Sequence, residues 1–522
     1  MKKKRIGLFA GLLSASVLLA ACGGAGDGGS DSATTDTGSK DTATTETSKP
    51  SESENTSTKD SVSWMAMLHT PTPPSGAVEE ALEEYSGIGI DFNWVPAASQ
   101  EERINAALSS DTLTDIVSLT QISNTTVRQA LASGMFWDVE PFLSEFENLS
   151  QIQEGTLEVS RINGHIYGVP FQKPIARYGT LVRKDWLDNL GLDVPKTIEE
   201  LEEVARAFTE DDPDGNGLDD TTGFVERAES YAVGFRNLTG YFGADNMFHL
   251  KDDGEIIPSF MQPEYKEAME YYRNIYANGW MNSDFAVMPK NDQKDYIATG
   301  KGGIVFSGLY DANNYLMAAA GTPQEEVMEW AIINDITYGD VDRRILSDTN
   351  GGMGGWLAIP KSNVETEDDL RVVLQFINDL MDLEPYTLMT HGVEGVHYEV
   401  GDGDVYMRID DTLWQQEVQP FAGSRPSELV TTFKVESELS NEANEKIADN
   451  AEYAVVNVAQ ALDSETYTSQ WSSLVEGIED AYYQFMMGDI DMDGFDAAIE
   501  TFLQNGGQTV IDEYTAAYAE VN

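Results

Sequence analysis

Two α/β lobes followed by a helical C-terminal region is the fold class predicted by three observations. Short apolar strands alternate with helices of about ten residues from Trp64 to Leu119. Strand and helix patterns alternate again between Lys184 and Met381. From Glu436 to the end almost every segment carries helical periodicity, and no internal repeat interrupts the order.

The elements follow in sequence. Trp64–Leu68 reads as a strand, Ala77–Tyr85 as a helix, and Ile88–Val95 as a strand whose pattern includes Ile88, Ile90, Phe92 and Trp94. Helix Gln100–Leu108 leads to strand Asp115–Leu119. Such βαβ units imply a parallel sheet, and ligands of open parallel sheets lie outside the carboxyl ends of the strands. Thr120 and Gln121, and the loop after Leu68, are therefore candidate contacts. Lys184–Leu190 is helical. Thr197 and Glu200 form a capping box that opens helix Ile198–Phe208. A long helix near Tyr265–Ala277, strand Gly303–Phe306 and helix Asp311–Ala320 come next. The glycine-rich turn Asn350–Gly355 precedes strand Trp356–Ile359 and helix Asp368–Met381.

The N-terminus is an address. Lys2, Lys3, Lys4 and Arg5 precede the apolar run Ile6–Ala20, which is shorter than the ~20 residues a membrane span requires. Leu19-Ala20-Ala21-Cys22 resembles a bacterial lipobox, which implies cleavage after residue 21 and lipid on Cys22, the only cysteine in the chain. Residues 22–60 are rich in Gly, Ser, Thr and acidic side chains and almost free of apolar ones, the composition of a disordered tether. No later apolar run approaches membrane-spanning length, so the lipid is the expected membrane attachment. The net charge of −58 excludes nucleic acid and anionic lipid surfaces as partners, and a monomer is expected.

Asp212–Asp220, "DPDGNGLDD", places oxygen ligands at alternate positions around a glycine. In calcium-loop order Asp212, Asp214 and Asn216 supply side chains, Gly217 the turn, Leu218 its carbonyl, and Asp220 the ninth position. Gly223 stands where the usual bidentate Glu belongs, so Asp220 or Glu226 would complete the shell. The reading is a structural Ca2+ site, with an acidic surface turn as the alternative. Asp489, Asp491 and Asp493 match the textual calcium pattern too, but Asp491 or Asp493 is better placed to cap helix Phe495–Leu503. His391, Glu394 and His397 lie within seven residues, yet their spacing fits no zinc pattern, and an ordered loop near a cleft is preferred.

No G-x-S-x-G, P-loop, HExxH or dinucleotide fingerprint occurs, so no catalytic residues are assigned. The nine Trp, 22 Tyr and 20 Phe instead suit a saccharide cleft, where ring faces stack on sugars. Trp280, Tyr310 and Trp356, each following a glycine turn, are the ring candidates.

Together with the lipobox and tether, "YGVPF" (Tyr167–Phe171), "LVRKDWLDNLGLDVPKTIEELEEVARAF" (Leu181–Phe208), the acidic loop and "GVEGVHYE" (Gly392–Glu399) resemble extracellular solute-binding proteins of family 1. These are lipoprotein receptors of ABC importers, mostly for carbohydrates and in Gram-positive organisms. The resemblance implies a periplasmic-binding-protein-like fold of type 2: lobe one from residues 61–172 plus 335–385, lobe two from 173–334 plus 386–522, joined by a hinge. It implies an oligosaccharide ligand, an ABC permease as partner and the outer face of the cell membrane as location. By position at the crossovers and cleft loops it adds Phe171, Gln172, Arg177, Tyr178 and Glu394 to the candidate contacts. A surface glycosidase, or a receptor for a non-sugar ligand such as a peptide, are the rival readings.

Overall fold

The computed structural model describes residues 59–521 except 69, 71, 97–98, 121, 123, 163 and 427–432. Cys22, the leader, all but the end of the tether, and Gln121 lie outside the described residues.

The first lobe is built on a five-stranded sheet. Its strands are β1 (Ser61–Leu68), β2 (Gly89–Pro96), β3 (Ile116–Leu119), β4 (Gly168–Gln172) and, later in the chain, β12 (Met353–Ala358), ordered β2-β1-β3-β12-β4. β1 pairs in parallel with β2 and β3, as the βαβ spacing requires, while β12 runs antiparallel to β3 and β4. Trp64 on β1 is fully buried, stacked on Phe92 at 5.2 Å and edge-on to Phe376 at 6.2 Å. Phe376 belongs to helix Glu367–Asp379, whose Leu370, Val373, Leu374 and Ile377 form the i, i+3, i+4, i+7 stripe that covers the sheet. Thr366 caps that helix by accepting from Asp369 N at 3.1 Å.

The second lobe carries β5 (Tyr178–Arg183), β6 (Thr222–Phe224), β9 (Gly302–Gly308) and β10 (Trp330–Ile333), ordered β10-β5-β9-β6. Smaller ribbons are β7 (Phe248–Leu250) with β8 (Ile256–Pro258), and β11 (Ile345–Leu346) with β16 (Ala454–Val455). Outside that lobe, in the stretch between β12 and helix Glu438–Asn450, a three-stranded ribbon joins β13 (Tyr398–Gly401), β14 (Val405–Arg408) and β15 (Lys434–Val435). Trp186 and Phe208 meet edge-to-face at 5.2 Å beneath β9. They press so closely on the strand that a Cβ at Gly303 would stand 2.3 Å from the Phe208 ring and 2.7 Å from that of Trp186. Half of the capping box forms as expected, Glu200 N donating to Thr197 Oγ1 at 3.2 Å, while the Glu200 carboxylate reaches back one residue beyond the cap and accepts from Lys196 N at 2.7 Å. Helices Glu465–Met487 and Met492–Phe502 bury Ile478, Tyr482, Phe485, Phe495 and Ile499 in the same core. Asp491 caps the second of them, accepting from Gly494 N at 3.1 Å.

The division of the chain differs from the expected boundaries. Ile336 and Ile345, expected in lobe one, lie in the second core, because β11 is tied to β16 of the C-terminal region. Met389, Val418 and Phe421, expected in lobe two, lie in the first core. The chain therefore returns to lobe one at β12, near residue 353 rather than 335. It rejoins lobe two at helix Glu438–Asn450, whose Ala443 and Ile447 pack in a cluster with β5, β9 and β10.

Candidate functional site

Two crossing segments, Lys173–Arg177 and Ser347–Gly352, lie side by side where the chain passes between the lobes. Lys173 N donates to Gly352 O at 2.8 Å, Ser347 Oγ to Ile175 O at 2.6 Å and Thr349 Oγ1 to Pro174 O at 2.7 Å. Asn350, Gly351 and Gly352 all have positive φ (54°, 71° and 90°), the conformation that lets this strap turn sharply and that the glycine-rich sequence suits. Asn450 Nδ2 adds bonds to Ala176 O and Tyr178 O, each at 3.1 Å, tying the C-terminal region to the first strap.

A cavity of ≈ 540 Å³ opens beside these straps. Pro174 and Ile175 form part of its wall, Tyr310, Asn444 and Ile447 stand on the lobe-two side, and Tyr386, His391, Arg408, Trp414, Arg425 and Phe433 on the other. Helix Leu383–His391 delivers Tyr386 and His391 and ends at Gly392 (φ 89°), where a Cβ would stand 2.6 Å from the His397 ring and from Val418. The β13–β14 pairing, with Tyr398 opposite Arg408, brings Tyr406 under His391.

The rings form one cluster. His391 stacks on Tyr406 at 4.4 Å, meets Phe433 edge-on at 4.4 Å, and Phe433 in turn stacks on Tyr386 at 5.9 Å. Arg408 lies 3.6 Å over Trp414, whose indole N–H donates to Thr390 O at 3.0 Å. Arg425 donates to Thr390 Oγ1 at 2.8 Å and lies 5.8 Å from the Tyr386 ring. His391 is only 6% exposed. Burial, and then the charges of Arg408 and Arg425, lower its pKa to about 4, so the imidazole is neutral near pH 7. Apolar ring faces beside guanidinium donors can grip a polyhydroxylated ligand.

Tyr310, 39% exposed, stands in this cavity. Glu394 lines a neighbouring one of ≈ 710 Å³ with Glu84, Tyr85 and Glu384, which shares Tyr406 with the ring cluster. Arg177 and Tyr178 begin lobe two at the straps, where Arg177 is engaged by Asp348. Thr120 donates to the Gln100 side chain at 3.0 Å at the end of β3. Gln172 pairs with Met353 at the end of β4.

The remaining ring candidates stand elsewhere. Trp356 is fully buried in the lobe-one core, edge-on to Tyr167 at 5.9 Å, because β12 runs between two strands under cover. The adjacent Gly355 serves close strand approach instead of ring exposure: a Cβ there would meet Leu119 O at 2.5 Å. Phe171 is 2% exposed in the same core. Trp280 packs against the second core and donates to Glu210 at 3.0 Å, lining neither cavity. Tyr386, Arg408, Trp414, Arg425 and Phe433 escaped sequence reasoning. Their one legible signal was two arginines within a strongly acidic chain.

In the acidic loop, Asp212 accepts from Asn216 N at 3.1 Å and Gly217 N at 2.9 Å, with Gly217 at φ 80°. Asn216 Nδ2 reaches Asp214 at 2.8 Å and Asp220 at 3.2 Å, and Leu218 N donates to Asn216 Oδ1 at 2.7 Å. Partial burial, with Asp212 and Asp220 nearby, raises the Asp214 pKa. Among the described residues no group of three or more His, Cys, Asp or Glu side chains is arranged as a metal site. The loop's side chains nonetheless offer oxygen ligands, with the Asn216 amide bridging the Asp214 and Asp220 carboxylates, and that ligand chemistry suits a hard cation. Glu226 is not among them. It is buried in the lobe, accepts from Tyr272 Oη at 2.7 Å, and packs where a Cβ on Gly234 would come within 1.8 Å of it.

Two α/β lobes joined by paired straps, with a ring-lined cleft at the hinge, define a ligand-binding protein of the clamp type. The chain belongs to the bacterial extracellular solute-binding proteins: the family model matches residues 70–378. It is 35% identical over 465 residues to the polygalacturonan/rhamnogalacturonan-binding protein YtcQ of Bacillus subtilis, covering 89% of this chain and 92% of the relative. Among solved structures it resembles an extracellular solute-binding protein of Bifidobacterium longum subsp. infantis, at TM-score 0.67 and 16% identity over 88% of this chain and 98% of that one. It also resembles an EF-hand mutant of the Streptococcus pneumoniae substrate-binding protein FusA in complex with fructo-nystose, at TM-score 0.63 and 16% identity over 88% and 99% of the two chains. The fold is thus the periplasmic-binding-protein type, and family members are binding proteins rather than enzymes.

Proposed function

We propose that this chain is the extracytoplasmic receptor of an ABC importer, which captures an oligosaccharide between its lobes and passes it to a membrane permease. The observation that carries the reading is the ≈ 540 Å³ cavity at the hinge, walled by rings from both lobes. Rings such as Trp414 and Tyr310 offer faces to sugar C–H groups, while Asn444, Gln419 and the arginines serve the hydroxyls. Ligand touching both walls favours the closed arrangement by its differential affinity, and the straps absorb the motion. The relatives' names support a saccharide but span different sugars, so the class is oligosaccharide.

Lipid on Cys22 would hold the receptor at the outer face of the membrane, with residues 23–60 as its tether. The Asp212–Asp220 loop would hold Ca2+ through Asp212, Asp214, Asn216, Asp220 and the Leu218 carbonyl, as a staple of lobe two. That ion neutralises clustered carboxylates and takes no part in ligand capture.

A thermal-shift screen against oligosaccharides tests the reading. A ligand at 100 times its Kd stabilises the folded state by about 2.7 kcal/mol, so a true ligand raises Tm in a concentration-dependent way. Turnover of a glycan by the purified protein, without tight binding of any saccharide, would sink it.

A further inference from the structure

We infer that the ≈ 710 Å³ cavity is a second ligand site, which takes the protonated amine of a small molecule among Glu84, Glu384, Glu394 and the Tyr398 hydroxyl. It is independent of the oligosaccharide reading, which rests on the hinge cavity. Helix Leu383–His391 stands between the two cavities, with Tyr386 and His391 lining the first, Thr387 and Leu388 the second.

The three carboxylates border one concavity from three separate segments: Glu84 on helix Ala77–Ser86, Glu384 on helix Leu383–His391, and Glu394 in the turn before β13. No Lys, Arg or His is among the described residues that line it, and none of the three carboxylates makes an ion pair or a side-chain hydrogen bond with a described residue. A cleft lined by one sign of charge focuses its field, so cations concentrate here beyond what the net charge of −58 draws to the rest of the surface.

Acidic side chains on so acidic a chain do not make a site by themselves. The second observation is Tyr398, which lines the cavity at only 7% exposure and whose hydroxyl makes no hydrogen bond with any described residue. Its ring is fixed by stacking on Tyr406 at 5.2 Å, and Tyr406 stacks in turn on His391. Burial, then Glu394, Tyr406 and Glu384, push the phenol up to about 12, so the hydroxyl stays protonated at neutral pH. The carboxylates that act on the phenol are those of the cavity, which sets its hydroxyl on the cavity side. A buried hydroxyl without a partner costs free energy that a bound group restores. A protonated amine matches this lining, because each of its three N–H donors can meet a carboxylate or the phenol oxygen, and its charge offsets theirs. A metal ion does not, since among the described residues no three His, Cys, Asp or Glu side chains are arranged to hold one. The volume is that of a small-molecule pocket, far more than a lone ammonium fills. The amine therefore belongs to a larger molecule, whose carbon skeleton lies against Ala81, Leu388 and Val393.

The test is calorimetric titration of the mature chain, at neutral pH and physiological salt, with spermidine, with the trisaccharide of glucosamine and with its N-acetylated form. The expected result is one site per chain for at least one of the two amines, and the tighter of them gives the source, a linear polyamine or an amino sugar. Glu394→Gln and Glu384→Gln should each lower that affinity ~10- to 100-fold, and Tyr398→Phe ~3- to 10-fold, at unchanged Tm, the ranges for a lost charge-assisted and a lost neutral hydrogen bond. Where one variant fails to fold, the other two make the same comparison. Glu476→Gln, which removes an exposed carboxylate on helix Glu465–Met487, should leave the affinity unchanged. The N-acetylated trimer should show no binding that Glu394→Gln weakens. Binding of neither amine, an equal loss in Glu476→Gln and Glu394→Gln, or binding of the N-acetylated trimer that Glu394→Gln weakens as much as that of the amine would each overturn the site. None of these results bears on the hinge cavity, so the oligosaccharide reading stands or falls by its own test.

Discussion

Arg177 and Asp348 join the two straps on which the lobes meet. The Asp348 carboxylate accepts from Arg177 N at 2.8 Å and Nε at 2.9 Å and pairs with the guanidinium at 2.8 Å. Its side chain is 6% exposed, so the pair is fixed from the aspartate side. A position expected to touch ligand thus acts in this structure as a clasp between the first and second crossings. Asp348→Asn keeps the shape and removes the charge. It should cost about 2 kcal/mol in urea unfolding, the scale of hydrogen bonds to a charged group. Ligand affinity should fall with it, because a looser hinge populates more non-binding orientations.

Gly303→Ala tests the packing beneath β9. The added methyl meets the buried Phe208 and Trp186 rings, neither of which can swing into solvent. Overpacking of this kind costs about 1–3 kcal/mol. The urea midpoint should drop with an unchanged m-value. An unaltered midpoint would show that the core yields more easily than its geometry indicates.

Glu226 makes stability depend on pH. Burial raises its pKa to about 7, outweighing the hydrogen bond from Tyr272, so the folded state favours the protonated carboxyl. Its folded value is above its unfolded one. The associated stability is therefore complete below the unfolded value of about 4.5 and is lost as pH rises through about 7. The span is on the order of 3 kcal/mol. Glu226→Gln should flatten the fall in unfolding free energy between pH 5 and pH 8 relative to the unaltered chain. Equal slopes for both proteins would contradict this.

The acidic loop gives a metal-removal test. EDTA should lower Tm, added Ca2+ should restore it, and Asp214→Ala should abolish the response to either. Indifference of the unaltered chain to chelation would reduce the loop to an acidic turn held by Asn216.

Much of the fold was legible because local rules and tertiary packing agree. Thr197 and Asp491 cap helices as their positions suggested, and the β1–β3 pattern matches the parallel pairing observed. The site was less legible. Glycine beside an aromatic suggests a ring at the cleft, yet Gly355 is there so that β12 can approach β3. Alternation cannot distinguish a ring that faces the core from one that faces a ligand. The cleft wall between Tyr386 and Phe433 depends on where the chain changes lobes. That point is set by β11 pairing with β16, a contact across more than a hundred residues that no local pattern reveals.

Capture of a saccharide between the lobes is tested most directly by calorimetric titration of the best ligand into three proteins: the unaltered chain, Trp414→Ala on one wall, and Tyr310→Ala on the other. The expected result is one site per chain, with affinity lost at least ~10-fold in each variant at unchanged fold, as stacking contacts to both walls require. Unchanged affinity in both variants would contradict it and place the ligand elsewhere.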